Sequence, residues 1–259
     1  MSTKSPIYSK LAPLYDTLMG DVDYESWADF IDEIIQTHHD EAVSVLELAC
    51  GTGSLTLSLA ELECYELTGT DQSPEMIEVA KDKATEFEVD AEFFPMDFLK
   101  FTTSKTYDVI FSVFDSVNYL KIYDDIITML NNAHEALNEH GILIFDFSTP
   151  QNSIESVDYL NENEGDTGDF RYHRVSRYDH NERIHYNEFE IEELDTTTGK
   201  VTNTYFEQHT QRAYSLHEML SIVEQTPYHL EAKYDGFTLN DATEKSTRVT
   251  LVLRCQKTQ

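Results

Sequence analysis

The stretch VLELACGTGSLTLSLA, residues 45–60, constrains this chain more than any other. An apolar run over residues 43–49 suits a strand buried on both faces; it breaks at Gly51 and Gly53 and gives way to LSLAEL, which reads as a helix. A strand that turns through glycine into a helix is the repeating unit of a parallel sheet. Glycine is needed at such a turn when a nucleotide-like ligand lies almost against the backbone, because any Cβ would collide with it. A dinucleotide fingerprint places glycine or alanine three residues after its second glycine. Thr56 stands there, which counts against NAD and a dehydrogenase.

The same alternation continues along the chain. CYELTGTD predicts a second strand ending at Asp71, after which Ser73 and Pro74 supply an N-cap and a first-turn proline for a helix with Ile77, Ala80, Ala84 and Phe87 on one face. AEFFP, YDVIFSVF and GILIFDF predict three more strands, with a helix marked by Ile126, Leu130, Ala133 and Leu137 between the last two. Upstream, Trp27, Phe30, Ile31 and Ile34 share one helical face. After Pro150, DFRYHRVSRY, RIHYNEFEIEEL and KVTNTYFEQHTQRAY read as antiparallel strands joined by turns at DHNE and DTTTGK. The alternation slips between Tyr186 and Phe189, which suggests a bulge or twist there. Ser215 with Glu218 forms a capping box for a helix carrying Leu216, Met219, Leu220 and Val223, and YHLEAKYDGF and TRVTLVLRC close the sheet. The expected architecture is α/β: a Rossmann-like, doubly wound, seven-stranded, mostly parallel sheet formed by residues 1–150 and 213–259. Residues 1–40 are expected to form a helical cover, and residues 151–212 an antiparallel β insertion after strand five that acts as a substrate lid.

Composition narrows the partners. Lys and Arg total 18 against 49 Asp and Glu, a formal net charge of −31, so a phosphate backbone is repelled at long range and a nucleic-acid partner is disfavoured. Arg171, Arg174, Arg177 and Arg183, interleaved with acids, read as solvated strand faces. The acidity fits a salt-rich cytoplasm. No apolar run approaches the roughly 18 residues of a membrane span, and the N-terminus lacks the apolar stretch of a secretory signal, so a cytoplasmic location is expected. Cys50, Cys64 and Cys255 suggest neither disulfides nor zinc and read as small core residues, while His38, His39 and the other histidines lack metal-ligand spacing and read as solvated.

Glu47 at the tip of the first strand, the glycine turn, Asp71 ending the second strand, and Asp97-Phe98 beyond the third together resemble the class I S-adenosylmethionine-dependent methyltransferases, over residues 43–147. The resemblance implies that Glu47 contacts the methionine end of the cofactor, that Gly51 and Gly53 border the adenosine, and that Asp71 holds the ribose. It also places Asp97 near the adenine amino group and Phe98 beside the ring, although Asp97 can equally cap its loop. Ala49 stands where the family often has another glycine. Gln72, Met76 and Phe114 complete the expected cofactor set. The prelude YSKLAPLYDTLM with YESWADF is similar to the N-terminal helices of small bacterial YqeM-type and glycine N-methyltransferase-like enzymes, which implies that Tyr8, Tyr15 and Trp27 cover the cofactor. Aromatic faces suit a sulfonium cation, but Trp27 also lies on its helix's apolar stripe and reads equally as core.

On the acceptor side, FDSVNYL lies at the sheet's carboxyl edge and brings Asp115, Ser116, Asn118 and Tyr119 toward a substrate. QHTQRAY adds His209, Arg212 and Tyr214 if the insertion folds back, with a half-exposed strand histidine as the alternative for His209. Asp115, Tyr119, His209 and Arg212 are thus the candidate catalytic residues, and no metal is expected. The expected activity is methyl transfer to a nitrogen or oxygen nucleophile, most simply on a small molecule. The rivals are tRNA modification with S-adenosylmethionine or a derivative, and a non-catalytic cofactor-binding module.

Overall fold

The structure, a computed structural model, describes residues 3–101, 103 and 105–257. It begins with a two-residue strand β1 (Thr3–Lys4), a helical turn α1 (Tyr15–Leu18) and helix α2 (Tyr24–His38). Asp23 caps α2 by accepting from the Ser26 N–H, and Trp27, Phe30, Ile31 and Ile34 are all buried, as their spacing requires. Then follow β2 (Ser44–Leu48), α3 (Ser54–Ala60), β3 (Glu66–Asp71), α4 (Pro74–Glu86), β4 (Ala91–Pro95), β5 (Tyr107–Ser112), α5 (Tyr123–Ala136) and β6 (Leu137–Ser148). Ser73 caps α4 by accepting from the Met76 N–H. After β6 come α6 (Pro150–Leu160), β7 (Asn163–Asp166), β8 (Phe170–Asp179), β9 (Ile184–Leu194), β10 (Val201–Arg212), α7 (Leu216–Val223), β11 (Tyr228–Asp235) and β12 (Arg248–Cys255). The Ser215–Glu218 capping box opens α7.

Seven strands form one sheet in the order β11-β12-β6-β5-β2-β3-β4, in which β12 runs antiparallel to both of its neighbours and the remaining pairs are parallel. Its central strands alternate between two cores. Leu46, Leu48, Ile110, Leu143 and Phe145 face α5 and α7, while Val45, Val109, Phe111 and Ile144 face α2 and α3. Burial on both faces explains the continuous apolar runs. The second sheet, β1-β10-β9-β8-β7, is antiparallel except where β1 joins β10 in parallel. No described helix is long and apolar enough to cross a membrane.

Several expectations need correction. No bulge falls between Tyr186 and Phe189; register is continuous there, and the shift in this hairpin lies between Val201 and Asn203. The backbone alternates correctly through β9, but inward positions 185 and 187 carry His and Asn, so only the hydrophobic pattern slips. Helix α6 and strands β1 and β7 were not expected; α6 buries only Ser153 and so shows no apolar stripe. Phe87 caps α4 and is exposed, as is Cys64. Histidines 134, 185 and 209 are buried, and His38 bonds the Tyr234 hydroxyl at 2.7 Å, so these four are not freely solvated.

Candidate active site

β2 and β3 end side by side at the carboxyl edge of the large sheet, which sets Glu47, Ala49, Gly51 and Asp71 around a cavity of about 660 Å³. The Asp71 carboxylate accepts the Gly51 N–H at 3.0 Å and the Ser73 N–H at 2.8 Å. Burial pushes its pKa up, against the pull of those bonds. Gly51 adopts φ +55°, and a Cβ there would meet only the Tyr15 ring, at 3.7 Å. Gly53, at φ +75°, serves a different purpose: its Cβ would strike the Phe93 ring at 2.9 Å and the Ala80 Cβ at 3.0 Å. The second glycine therefore seats α3 against α4 and β4, and it lies outside the cavity lining. Glu47 is buried and accepts from the Thr56 hydroxyl, and burial raises its pKa to about 7. Gln72, Met76, Asp97 and Phe98 line the opposite wall. Asp97 lines the cavity and also caps a turn by accepting the Leu99 N–H at 2.9 Å.

The roof comes from the N-terminal segment. One buried carboxylate, Glu207 of β10, accepts the N–H groups of Tyr8 at 2.7 Å, Lys10 at 2.6 Å and Leu11 at 3.1 Å. Ser73 Oγ donates to the Tyr8 carbonyl at 3.1 Å. Asp16 braces α1 by accepting from Thr52 Oγ1 at 2.5 Å and Lys83 Nζ at 2.9 Å. Tyr8 and Tyr15 thereby close over Gly51 and Asp71.

Tyr8, Tyr15, Phe114 and Tyr119 also line a second cavity, of about 450 Å³, between the sheet edge and the inward face of β8–β10. The Tyr8 and Tyr119 hydroxyls are 2.6 Å apart, and Tyr119 Oη lies 2.9 Å from Nδ1 of His209. His209 is 2% exposed, so the half-exposed alternative does not hold. Its Nε2 lies 3.4 Å from the Glu207 carboxylate without hydrogen-bond alignment. Burial raises the pKa of Tyr8, Tyr15 and Tyr119 well above the ordinary phenol value, so all three hydroxyls are neutral. Ser176, Asn187 and His209 face one another across β8, β9 and β10, and Asn187 Oδ1 and His209 Nε2 are buried without a hydrogen-bond partner. Polar atoms left in this condition are costly unless a ligand meets them.

At the floor, Phe114 and Asp115 both hold left-handed conformations, with φ of 59° and 50°. The buried Asp146 carboxylate fixes them by accepting their N–H groups at 3.2 and 2.7 Å. Arg248 bridges Asp146 and Asp115; burial opposes its charge, but the two carboxylates outweigh this and raise its pKa above the usual value. Gln211 takes the other Asp115 oxygen at 2.5 Å. Asp115 is thus occupied in holding the floor. Arg212 lines neither cavity: its guanidinium sits over the Tyr123 and Tyr214 rings and 3.8 Å from Glu218. Trp27 packs on Phe114 and Phe237 as part of the core and lines the second cavity rather than the first, where the cofactor cover was expected. Asn118 is buried and ties the Ser148 N–H to the carbonyls of Ser148 and Arg212, and Tyr214 is fully buried, with its hydroxyl on the Leu120 carbonyl.

Arg174, expected on a solvated strand face, is partly buried and lines the second cavity, and cavity positions were not expected for Tyr24, Met96 and Lys121 in the first or for His185 and Asn187 in the second. For the last two, polar side chains at alternate positions of an otherwise half-apolar strand were the available signal.

Residues 45–141 match the family described as a methyltransferase domain. The chain is 27% identical over 255 residues to YqeM, a provisionally named methyltransferase of Bacillus subtilis, with 98% of each protein covered. It is 31% identical over 140 residues to a similarly named protein of Geobacillus sp., covering 54% of this chain and 56% of that one. Over 122 residues it is 27% identical to the dTDP-3-amino-3,4,6-trideoxy-alpha-D-glucopyranose N,N-dimethyltransferase of Streptomyces venezuelae, covering 47% and 49%. The matched stretch thus spans about half the length of the Geobacillus and Streptomyces proteins. Two solved structures share the fold at a TM-score of 0.77: an S-adenosylmethionine-dependent methyltransferase of Clostridium acetobutylicum, 24% identical over 97% of this chain and 100% of that one, and a sugar N-methyltransferase of Streptoalloteichus sp., 16% identical over 99% and 97%.

Proposed function

We propose that the chain is a class I S-adenosylmethionine-dependent methyltransferase that methylates a nitrogen or oxygen nucleophile of a small molecule held in the second cavity. The observation that carries this reading is the shared wall: Tyr8, Tyr15, Phe114 and Tyr119 belong to both cavities, so a donor in one meets an acceptor in the other only there. Asp71 would hold the ribose, Glu47 the methionine ammonium, and Asp97 with Phe98 the adenine. The open space at the missing Cβ of Gly51 fits a ligand pressed against the backbone. When bound, the cofactor supplies a methyl group activated on a positive sulfur. What remains for the protein is alignment and exclusion of water, and such positioning is worth about 7–11 kcal/mol in favourable cases.

Tyr8, Tyr15 and Phe114 offer aromatic faces to the sulfonium. A proton released by the nucleophile passes to Tyr119 Oη as the Tyr119 proton moves to His209 Nδ1, 2.9 Å away; Asp115 and Arg212 take no part. Residues 151–212 act as the lid that selects the acceptor. The Streptomyces and Streptoalloteichus relatives, named for methylation of amino sugars, favour an amine acceptor. A location in the cytoplasm suits this chemistry.

Soaking with S-adenosylhomocysteine tests the reading. The expected result is adenosine at Asp71 and sulfur at the Tyr8–Tyr119 wall; a pyrophosphate site at the glycine turn, or an empty turn, overturns it. The tRNA alternative is opposed by the net charge of −31, and it predicts a mobility shift with bulk tRNA at low salt.

A further inference from the structure

Arg171, Arg183, Arg212, Arg248 and Arg254 each lie within ion-pairing distance of a carboxylate, and exposed Arg177 stacks on Tyr186 at 3.6 Å. Arg174 has no carboxylate partner and rests only on the edge of an aromatic contact. It points inward from β8, half-buried, with Nε donating to the Leu160 carbonyl at 3.0 Å and its guanidinium 5.7 Å from the Phe189 ring centre. Among the described residues no carboxylate oxygen pairs with it, in a chain that carries 49 acids. Burial opposes its charge and lowers its pKa. A half-buried, uncompensated guanidinium is a standing cost unless an anion arrives from outside.

The placement says which anion. Arg174 lines the second cavity and not the first, so the methionine carboxylate of the cofactor is not its partner. Arg248, the other guanidinium on the second cavity, is already taken by Asp115 and Asp146. The unpartnered atoms Asn187 Oδ1, on the neighbouring strand β9, and His209 Nε2, on β10 beyond it, belong to residues that line the same cavity. Resting on the methyl-transfer reading, we infer that the acceptor is a small organic anion whose carboxylate or phosphate pairs with Arg174 while its nucleophile faces Tyr119 and His209. The overall negative field repels anions in general, so one fixed guanidinium inside the cavity makes entry selective.

Trp27 is the only tryptophan and lines this same cavity, so its fluorescence reports occupancy. The protein saturated with S-adenosylhomocysteine would be titrated with hexanoate, n-butyl phosphate and neutral hexanamide. At least one anion should give a saturable change with a dissociation constant tenfold or more below that of the amide, and the tighter of the two distinguishes carboxylate from phosphate. Arg174→Met should erase the preference, and Arg174→Lys should keep part of it, with folding of each checked by thermal melt. No saturable response, equal binding of amide and anions, or a preference that survives in Arg174→Met overturns the inference. Calorimetry with S-adenosylhomocysteine alone separates the two ideas: intact cofactor binding with failed anion binding sinks only this one, whereas lost cofactor binding sinks the methyl-transfer reading.

Discussion

The hydroxyl oxygens of Tyr8 and Tyr119 lie 2.6 Å apart, one delivered by the N-terminal cover and the other by the loop after β5. Tyr119→Phe removes the group that serves both Tyr8 and His209. Leaving buried polar partners unmade costs about 1–3 kcal/mol. Urea unfolding should show a loss of that size, while affinity for S-adenosylhomocysteine, measured by calorimetry, should stay within twofold.

Asp71→Asn keeps the shape of the side chain but removes the charge that the ribose hydroxyls would meet. Hydrogen bonds to charged groups contribute about 1.5–3 kcal/mol, so affinity for S-adenosylhomocysteine should fall roughly 10- to 100-fold. Stability changes less, because one of the Gly51 and Ser73 N–H bonds is lost while the burial cost of the carboxylate disappears. Unchanged affinity would mean that the ribose lies elsewhere.

Glu47 gives the site a pH signature. Burial lifts its pKa from the ordinary 4.5 to about 7, so between those values the folded ligand-free protein binds more protons than the unfolded chain. Its contribution to stability is present in full below pH 4.5 and is lost as pH rises to about 7, on the order of 3 kcal/mol across the window. Cofactor binding works in the opposite sense, because an ammonium beside Glu47 favours the ionised form. Affinity for S-adenosylhomocysteine should therefore rise over the same interval. In Glu47→Gln the stability slope should lose the share that Glu47 supplies, leaving that of the other shifted carboxylates such as Asp71 and Asp146, and the affinity slope should shrink to what Asp71, also raised by burial, supplies. A slope untouched by the substitution would remove Glu47 from the site.

Alanine at the two turn glycines should separate packing from binding. Gly53→Ala forces a Cβ against Phe93 at 2.9 Å in a left-handed conformation, so a loss of about 2–4 kcal/mol in unfolding free energy is expected. Gly51→Ala meets only the Tyr15 ring at 3.7 Å, so its stability loss should be near 1 kcal/mol while cofactor affinity drops at least tenfold. Equal effects of the two on stability would contradict the geometry.

The large sheet was readable because its signals are local. A buried parallel strand is a continuous apolar run, and Ser73-Pro74 and Ser215–Glu218 announce their helices within a few residues. The meeting of Glu47, Gly51 and Asp71 at one cavity was readable for the same reason, since they sit at strand ends that the pattern fixes. The acceptor side was not, because it joins residues far apart in sequence: Tyr8 with Tyr119, Tyr119 with His209, Asp115 with Arg248. Polar residues facing this cavity also disguise their elements. Asn187 and His185 made a regular strand look broken, and Asn152, Ser153 and Ser156 left α6 without an apolar stripe. Arg212 was expected beside His209 at the sheet edge, but strand alternation turns it away from both cavities.

The Glu207 carboxylate that gathers the N–H groups of Tyr8, Lys10 and Leu11 lies about four-fifths of the way along the chain. During synthesis on the ribosome, β2 to β6 emerge well before it, so the N-terminal segment lacks this fastening until β10 follows. The cover over the first cavity is therefore among the last features of the fold to be fastened.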